Sequence, residues 1–463
     1  MLSLFCTRLT AQEIPSGAEI SSSLHPENGV PFTIRQIIIT GNKRTNEAII
    51  LREIPFKTGE HFSLQELLKQ FEKARIQLMN TSLFHYVTVA MKGSSGYEVD
   101  VEILVKERWY IFPLPYVRPV DRNLNQWLFK EGASLDRVDY GIKLMSYNTT
   151  GDNDKFRLWL INGYTKQISA SYDRPYIDKN MKWGLITSFS IGKNREINYN
   201  TIDDKQAFYK DDDYVRSFVT AGAAITYRPA IKTRHQFGIN YIRENIKDTV
   251  IALNPEYFNN DKTHIAFPEL YYKMKYYDLD YIPYPTKGYA AEVTVGKKGL
   301  NKDVNQWYLT VKGSGTWPTG KRTFFNVTAF GSLTVPFKQP YMMQRLLGYN
   351  DAFMQGYEYY VIDGAAGGFL KTTFTRELFN LNVKKPYSKN ASCVPFRFYG
   401  KVYGNAGYVY NPEPGDNYLS NRILCSGGIG LDILTAYDFT IKLEWTFNQL
   451  GQNGLFLHRK SIF

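Results

Sequence analysis

The chain has 463 residues, 43% of them hydrophobic, and a formal net charge of +12. That length exceeds one ordinary domain, and no run of 18 apolar residues exists that could cross a membrane as a helix. Lys and Arg are spread among strands and loops without a basic helix or cluster, which argues against a nucleic-acid partner.

Residues 1–12 read as the tail of a secretory signal, with Thr10 and Ala11 as small residues near a cleavage point. A polar linker carrying Pro, Ser and Gly follows over 13–32. Residues 33–107 form a small α/β unit. The β-branched stretch 33–40 predicts a strand, ended by the turn pair Gly41-Asn42. Thr45 or Asn46 caps a helix over 47–53, which Pro55 closes. Ser63, with Glu66 three residues on, predicts a capping box at the start of a second helix. Leu64, Leu67, Leu68, Phe71, Ile76 and Leu78 keep its apolar face at helical spacing. Strands at 86–92 and 97–106, joined by Gly93-Ser-Ser-Gly96, complete a βααββ order.

From 108 to 463 the pattern changes to period 2. Strands are expected at 109–117, 137–147, 155–163, 166–174, 182–193, 214–227, 234–245 and 266–280. Eight more are expected at 288–297, 305–317, 322–335, 367–379, 396–408, 422–434, 438–448 and 455–463. Inside lipid only helices and closed barrels satisfy every backbone polar group, and about sixteen strands is an even number, as single-chain bacterial barrels require. The expected fold is an all-β transmembrane barrel of about 16 antiparallel strands in a bacterial outer membrane, preceded by the βααββ unit. A large soluble β-protein is the bland alternative, but too many strands are two-faced to hide in one core.

Links after even-numbered strands are mostly short, whereas 118–136, 194–213, 246–265 and 336–366 are long odd-numbered links; the long even link 380–395 is the exception. Phe439, Ile441, Leu443, Trp445 and Phe447 alternate with polar residues, so Lys442 and Glu444 face the lumen. The 35 Tyr and 29 Phe suit girdles at the headgroup level. The scattered positive charge lines the lumen or meets anionic headgroups.

Cys6 falls in the targeting segment, Cys393 in a turn at one barrel end and Cys425 at a strand start at the other, so no disulfide is expected. No metal cluster, nucleophile–base arrangement or phosphate loop is present in the sequence. The expectation is therefore neither an enzyme nor a cofactor binder.

The first barrel strand contains Pro113 and Pro115. Residues two apart direct their N–H groups to the same neighbour, and Pro has none. The deficient edge is expected to face the last strand, which ends in the aromatic Phe463. Two readings stand: a weak lateral seam that clients use, or prolines that merely bend or end the strand.

Ile37-Ile-Ile-Thr-Gly-Asn-Lys-Arg-Thr45, Arg52-Glu-Ile-Pro55, Gly59, Leu83-Phe-His-Tyr-Val87 and the stretch Asp100 to Arg108 resemble a POTRA module. With the barrel, the chain resembles a short, single-POTRA member of the BamA-type outer-membrane assembly and translocation superfamily. The resemblance implies a periplasmic module that passes client chains along by strand addition at a sheet edge, here through Ile37, Ile39, Tyr86, Val87 and Val89. A spacer that binds nothing is the other reading of so small a module.

In that superfamily a loop between strands eleven and twelve folds into the lumen. It carries an Arg-Gly-aromatic motif whose Arg meets a Glu and an Asp on the next two strands. Here the motif reads Gln355, Gly356, Tyr357, the Glu matches Glu377, and the Asp position is Asn405, followed by Gly407. The two changes together exchange a charge pair for an amide pair that keeps its hydrogen bonds. Glu377 then lacks a cation unless Lys401 or Arg397 supplies one, and a plain surface loop remains the alternative.

Three functions follow: an assembly, insertion or translocation factor; a passive channel or structural barrel; and a secretion pore for one partner. The partners implied are outer-membrane lipids and unfolded or exported client proteins, with accessory lipoproteins as further candidates.

Overall fold

A computed structural model describes residues 31–119, 132–258, 262–300, 303–349, 352–384 and 393–458. The expected signal segment, most of the linker, Cys6 and Phe463 lie outside them.

The N-terminal module comprises β1 (Phe32–Thr40), α1 (Glu47–Glu53), β2 (His61–Phe62), α2 (Leu64–Asn80), β3 (Phe84–Ser95) and β4 (Glu98–Glu107). The Ser63 hydroxyl accepts the Glu66 amide at 3.3 Å while Glu66 accepts the Ser63 amide at 3.1 Å, the reciprocal cap expected from the sequence. The sheet order is β2-β1-β4-β3, with β1 parallel to β4. Leu67, Phe71 and Leu78 of α2 and Ile49 and Ile50 of α1 pack on Ile34, Val101 and Ile103. Gly41 turns out of β1 at φ +89°, where a Cβ would lie 2.0 Å from the Val105 carbonyl oxygen, so no other residue fits.

The chain continues through β5 (Ile111–Pro119), β6 (Val138–Tyr147), β7 (Lys155–Gly163), β8 (Thr165–Arg174) and β9 (Trp183–Asn194). A hairpin of β10 (Glu196–Ile202) and β11 (Lys205–Lys210) leads to β12 (Arg216–Tyr227), β13 (Thr233–Ile246) and helix α3 (Asp248–Leu253). Then come β14 (His264–Leu279), β15 (Gly288–Lys298), β16 (Gln306–Pro318) and β17 (Thr323–Val335). The short pair β18 (Arg345–Leu347) and β19 (Ile362–Asp363) precedes β20 (Ala366–Lys384), β21 (Cys393–Tyr410) and β22 (Ile423–Leu434). The last two strands are β23 (Thr440–Asn448) and β24 (Asn453–His458).

Sixteen of these form one antiparallel sheet in which each strand pairs with its sequence neighbours, from β5 to β24. The Phe112 ring of β5 packs 5.6 Å from Tyr437, in the turn between β22 and β23, so the first strand lies near the opposite end of the sheet. Alternation divides the faces as expected. Trp445 and Phe447 are half-exposed to the outside, whereas Glu444 and Thr446 are each 1% exposed toward the lumen. Among the described residues no helix is long and apolar enough to cross a membrane, a test that does not bear on barrels.

The connections differ from expectation in informative ways. The link 194–213 is largely the β10–β11 hairpin, and 246–265 holds α3. With Tyr341 and Met343 of the following loop these pack into a cluster at the end far from the module, cored by Val250, Tyr257, Phe258 and Phe267. Of the expected long link 380–395, residues 380–384 and 393–395 are strand. β20 and β21 run on to Lys384 and from Cys393, and beyond Glu377 and Arg397 they pair only with each other. Cys393 thus begins a strand instead of lying in a turn.

The module is fastened to the near rim of the barrel. Glu53 of α1 pairs with Arg228, just past β12, and accepts the Tyr176 hydroxyl at 3.1 Å. Burial alone would weaken the Arg228 charge, but Glu53 and Tyr176 outweigh it and hold the guanidinium proton more tightly than usual. Burial and then the Glu53 carboxylate push the Tyr176 phenol up, so it donates without ionising. Arg108 donates to Asp438 at 2.6 Å, and Asn80 donates to the Leu279 carbonyl at 3.0 Å.

Candidate functional site: the inward loop and the seam

The segment between β17 and β20 turns into the lumen because its apolar residues find partners there. Met354, Tyr357, Tyr360 and Ile362 pack on Phe330, Phe369, Val409 and Leu424 of the wall. Gly356 has φ +92°, and a Cβ on it would lie 2.9 Å from the Ser426 Cβ. Gly407 gives similar clearance, since its Cβ would stand 3.1 Å from the Met354 sulfur.

The loop and the wall exchange hydrogen bonds in both directions. Asn448 Nδ2 donates to the Gly356 carbonyl at 2.7 Å, and the Tyr357 hydroxyl donates to the Cys425 carbonyl at 3.1 Å. The expected direct amide pair does not form. Gln355 and Asn405 meet through Ser426, whose hydroxyl donates to the Gln355 carbonyl and accepts Asn405 Nδ2 at 3.1 Å. Gln355 Oε1 and Asn405 Oδ1 are buried without a hydrogen-bond partner, so the exchange does not keep every bond.

Glu377 is not part of this arrangement. It sits opposite Tyr399 with its carboxylate on Asn380 at 2.8 Å, and Lys371 is the residue opposite Asn405. Six residues separate the two positions along β20, about 20 Å of extended strand. The carboxylate that meets Gln355 is Glu444, at 3.4 Å from Nε2.

Glu444 is also the centre of a buried charge cluster. Lys401 lies 2.6 Å from it and 2.6 Å from Asp432, which accepts the Tyr284 hydroxyl at 3.0 Å. His458 of β24 bonds Glu444 through Nδ1, and its Nε2 stands 3.7 Å from Glu358 of the loop. One imidazole thus links the last strand, the wall and the loop. A cavity of about 150 Å³ beside the cluster is lined by Gln355, Lys371, Lys401, Lys442, Glu444 and His458, among others. Lys401 does not serve as a cation for Glu377. Its true partners follow from alternation, because Lys401, Asp432 and Glu444 all take inward positions on adjacent strands.

At the seam, β5 pairs with β6 over nine residues, Ile111 to Pro119. Tyr147 N donates to Tyr110 O at 2.8 Å, which sets the phase of the ladder. Even-numbered residues exchange bonds with β6, so odd-numbered ones point N and O at the opposite edge. Pro113 and Pro115 are odd, and so is Pro119, two residues past the expected end of the strand. All three therefore lack a donor on the edge away from β6. Among the described residues no ladder joins β5 to β24.

In the module, β3 is a sheet edge, bonded only to β4. It carries Tyr86, half-exposed, and Val87 and Val89, which turn into the core. β1 is not an outer strand. It lies between β4 and β2, but β2 covers only Phe32 and Thr33, leaving Ile37 and Ile39 bonded on the β4 side.

Residues 32–108 match the POTRA family, described as a surface antigen variable number repeat. BamA from Haemophilus ducreyi lacking POTRA domains 1–3 is similar over 92% of this chain and 83% of its own, at 16% identity and a TM-score of 0.51. CdiB from Acinetobacter baumannii aligns over 92% of this chain and 73% of its own, at 10% identity and a TM-score of 0.49. CdiB from Escherichia coli aligns over 94% and 90%, at 10% identity and a TM-score of 0.46. No curated protein matches the sequence. In fold, the chain is a POTRA-plus-barrel protein of the BamA type.

Proposed function

We propose that this protein is an outer-membrane factor for assembly, insertion or translocation of client proteins, with its POTRA module in the periplasm. The observation that carries the reading is the donor-poor edge of β5, where three proline nitrogens point away from β6, the side on which the last strand would close the barrel. A closed barrel gains its stability from ladder bonds at every edge. An edge without three donors leaves acceptors on the last strand underpaired, by about 1–3 kcal/mol for each such group, and a client strand can compete for them. The open edge of β3 offers a first docking place for an extended client.

The lumen loop and the far-end cluster disfavour a passive channel, since both fill the path through the barrel. A secretion pore dedicated to one partner uses the same parts and remains the second reading. Folding of a urea-denatured barrel client into liposomes separates the two. An assembly factor accelerates clients of unrelated sequence, whereas a dedicated pore leaves them at the rate of empty lipid.

A further inference from the structure

Lys166 of β8 and Lys193 of β9 stand directly opposite each other. Both are exposed, on the outward face that also carries Ile168, Phe189 and Ile191, at the barrel end remote from the POTRA module. Like charges so placed repel. Arg195, just past β9, adds a third cation. The three charged groups lie 5.7, 5.8 and 5.6 Å from the centre of the Tyr214 ring.

Among the described residues none of the three forms an ion pair, and Arg195 Nε is buried without a hydrogen-bond partner. Nearby carboxylates are engaged elsewhere: Asp211 and Asp213 with Lys247 at 2.8 and 3.6 Å, Glu196 with Arg137 and Lys210 at 3.5 and 3.8 Å. Asp212 is exposed and pairs with none of the three cations.

We propose that Lys166, Lys193 and Arg195 bind the phosphate of a lipid headgroup in the leaflet at this end of the barrel. The phosphate oxygens accept from two ammonium groups and one guanidinium. The acyl chains of the same lipid then lie along Ile168, Phe189 and Ile191, which a free anion cannot use. The inference rests on the barrel spanning a membrane, and the test keeps the two apart.

The full chain is inserted into phosphatidylcholine vesicles doped with phosphorylated lipid A or its dephosphorylated form, and lipid retained after extraction is measured by native mass spectrometry. The wild-type chain is expected to retain the phosphorylated form selectively. Lys193→Gln should weaken retention about fivefold, and adding Lys166→Gln and Arg195→Gln about fivefold for each further charge. Lys193→Arg should keep it, and inorganic phosphate should not compete. Equal retention by the inserted triple variant, or competition by inorganic phosphate at matched concentration, overturns the site alone. Failure of the wild-type chain to insert into plain phosphatidylcholine vesicles overturns the membrane reading and the site with it.

Discussion

His458 Nδ1, on the last barrel strand, bonds the Glu444 carboxylate on the strand before it, and the opposite ring nitrogen points at Glu358 of the inward loop. The terminal strand is therefore tied from within the lumen. The tie joins the last strand to the inward loop.

Replacing His458 by Ala should loosen this strand. Glu444 keeps Lys401, so the loss is that of one charged hydrogen bond, about 1.5–3 kcal/mol. Hydrogen exchange should rise at residues 453–458 and in the loop together. A rise confined to the strand would show that the loop is held independently.

Gly356→Ala places a methyl group against Ser426 at a left-handed backbone position. The loop should lift from the wall and the lumen should conduct. Single-channel currents in planar bilayers should show larger or more frequent openings than the wild-type barrel, and unchanged currents would count against the loop as the plug.

Gln355→Arg and Asn405→Asp test the altered lock by a double-mutant cycle. Arg at 355 meets Glu444 directly, whereas Asp at 405 alone adds a carboxylate to a buried site. The double variant should be more stable than the sum of the single changes, by about 1–3 kcal/mol in barrel unfolding. A coupling near zero would show that the two positions do not communicate through Ser426.

The POTRA module should weaken in acid through Glu107. Burial opposes its charge, but bonds from Thr45 and from the Arg44 and Lys43 amides outweigh that and hold the carboxyl below its ordinary value. A lowered folded pKa gives stability that is present above the unfolded value of about 4.3 and is lost as pH falls through the folded one. Glu107→Gln should flatten the pH dependence of module unfolding below about pH 4.5, followed by circular dichroism of the full chain. A profile identical to wild type would assign the acid sensitivity elsewhere.

Much of the fold was legible because its signals are local. The Ser63–Glu66 cap marks the start of α2, and β7 occupies the residues its alternation indicated. Period 2 also placed Lys442 and Glu444 inward. Other features depend on long-range pairing. Glu377 was assigned by motif order, but the pairing of β20 with β21 puts Lys371 opposite Asn405. The extension of β20 and β21 was read as a loop, since a ribbon paired only with itself needs no buried face. The seam is the opposite case. Proline spacing alone indicated one deficient edge, and the Tyr110–Tyr147 bond supplies the phase that says which edge it is.

The most direct test replaces Cys6, Cys393 and Cys425 by Ser and introduces a cysteine pair across β5 and β24, then measures client folding into liposomes in oxidised and reduced states. The proposal predicts that the oxidised barrel accelerates clients no more than empty lipid, that reduction restores the rate, and that Pro113→Val with Pro115→Val slows it. Equal acceleration by the locked and unlocked barrels would contradict a seam that opens to clients.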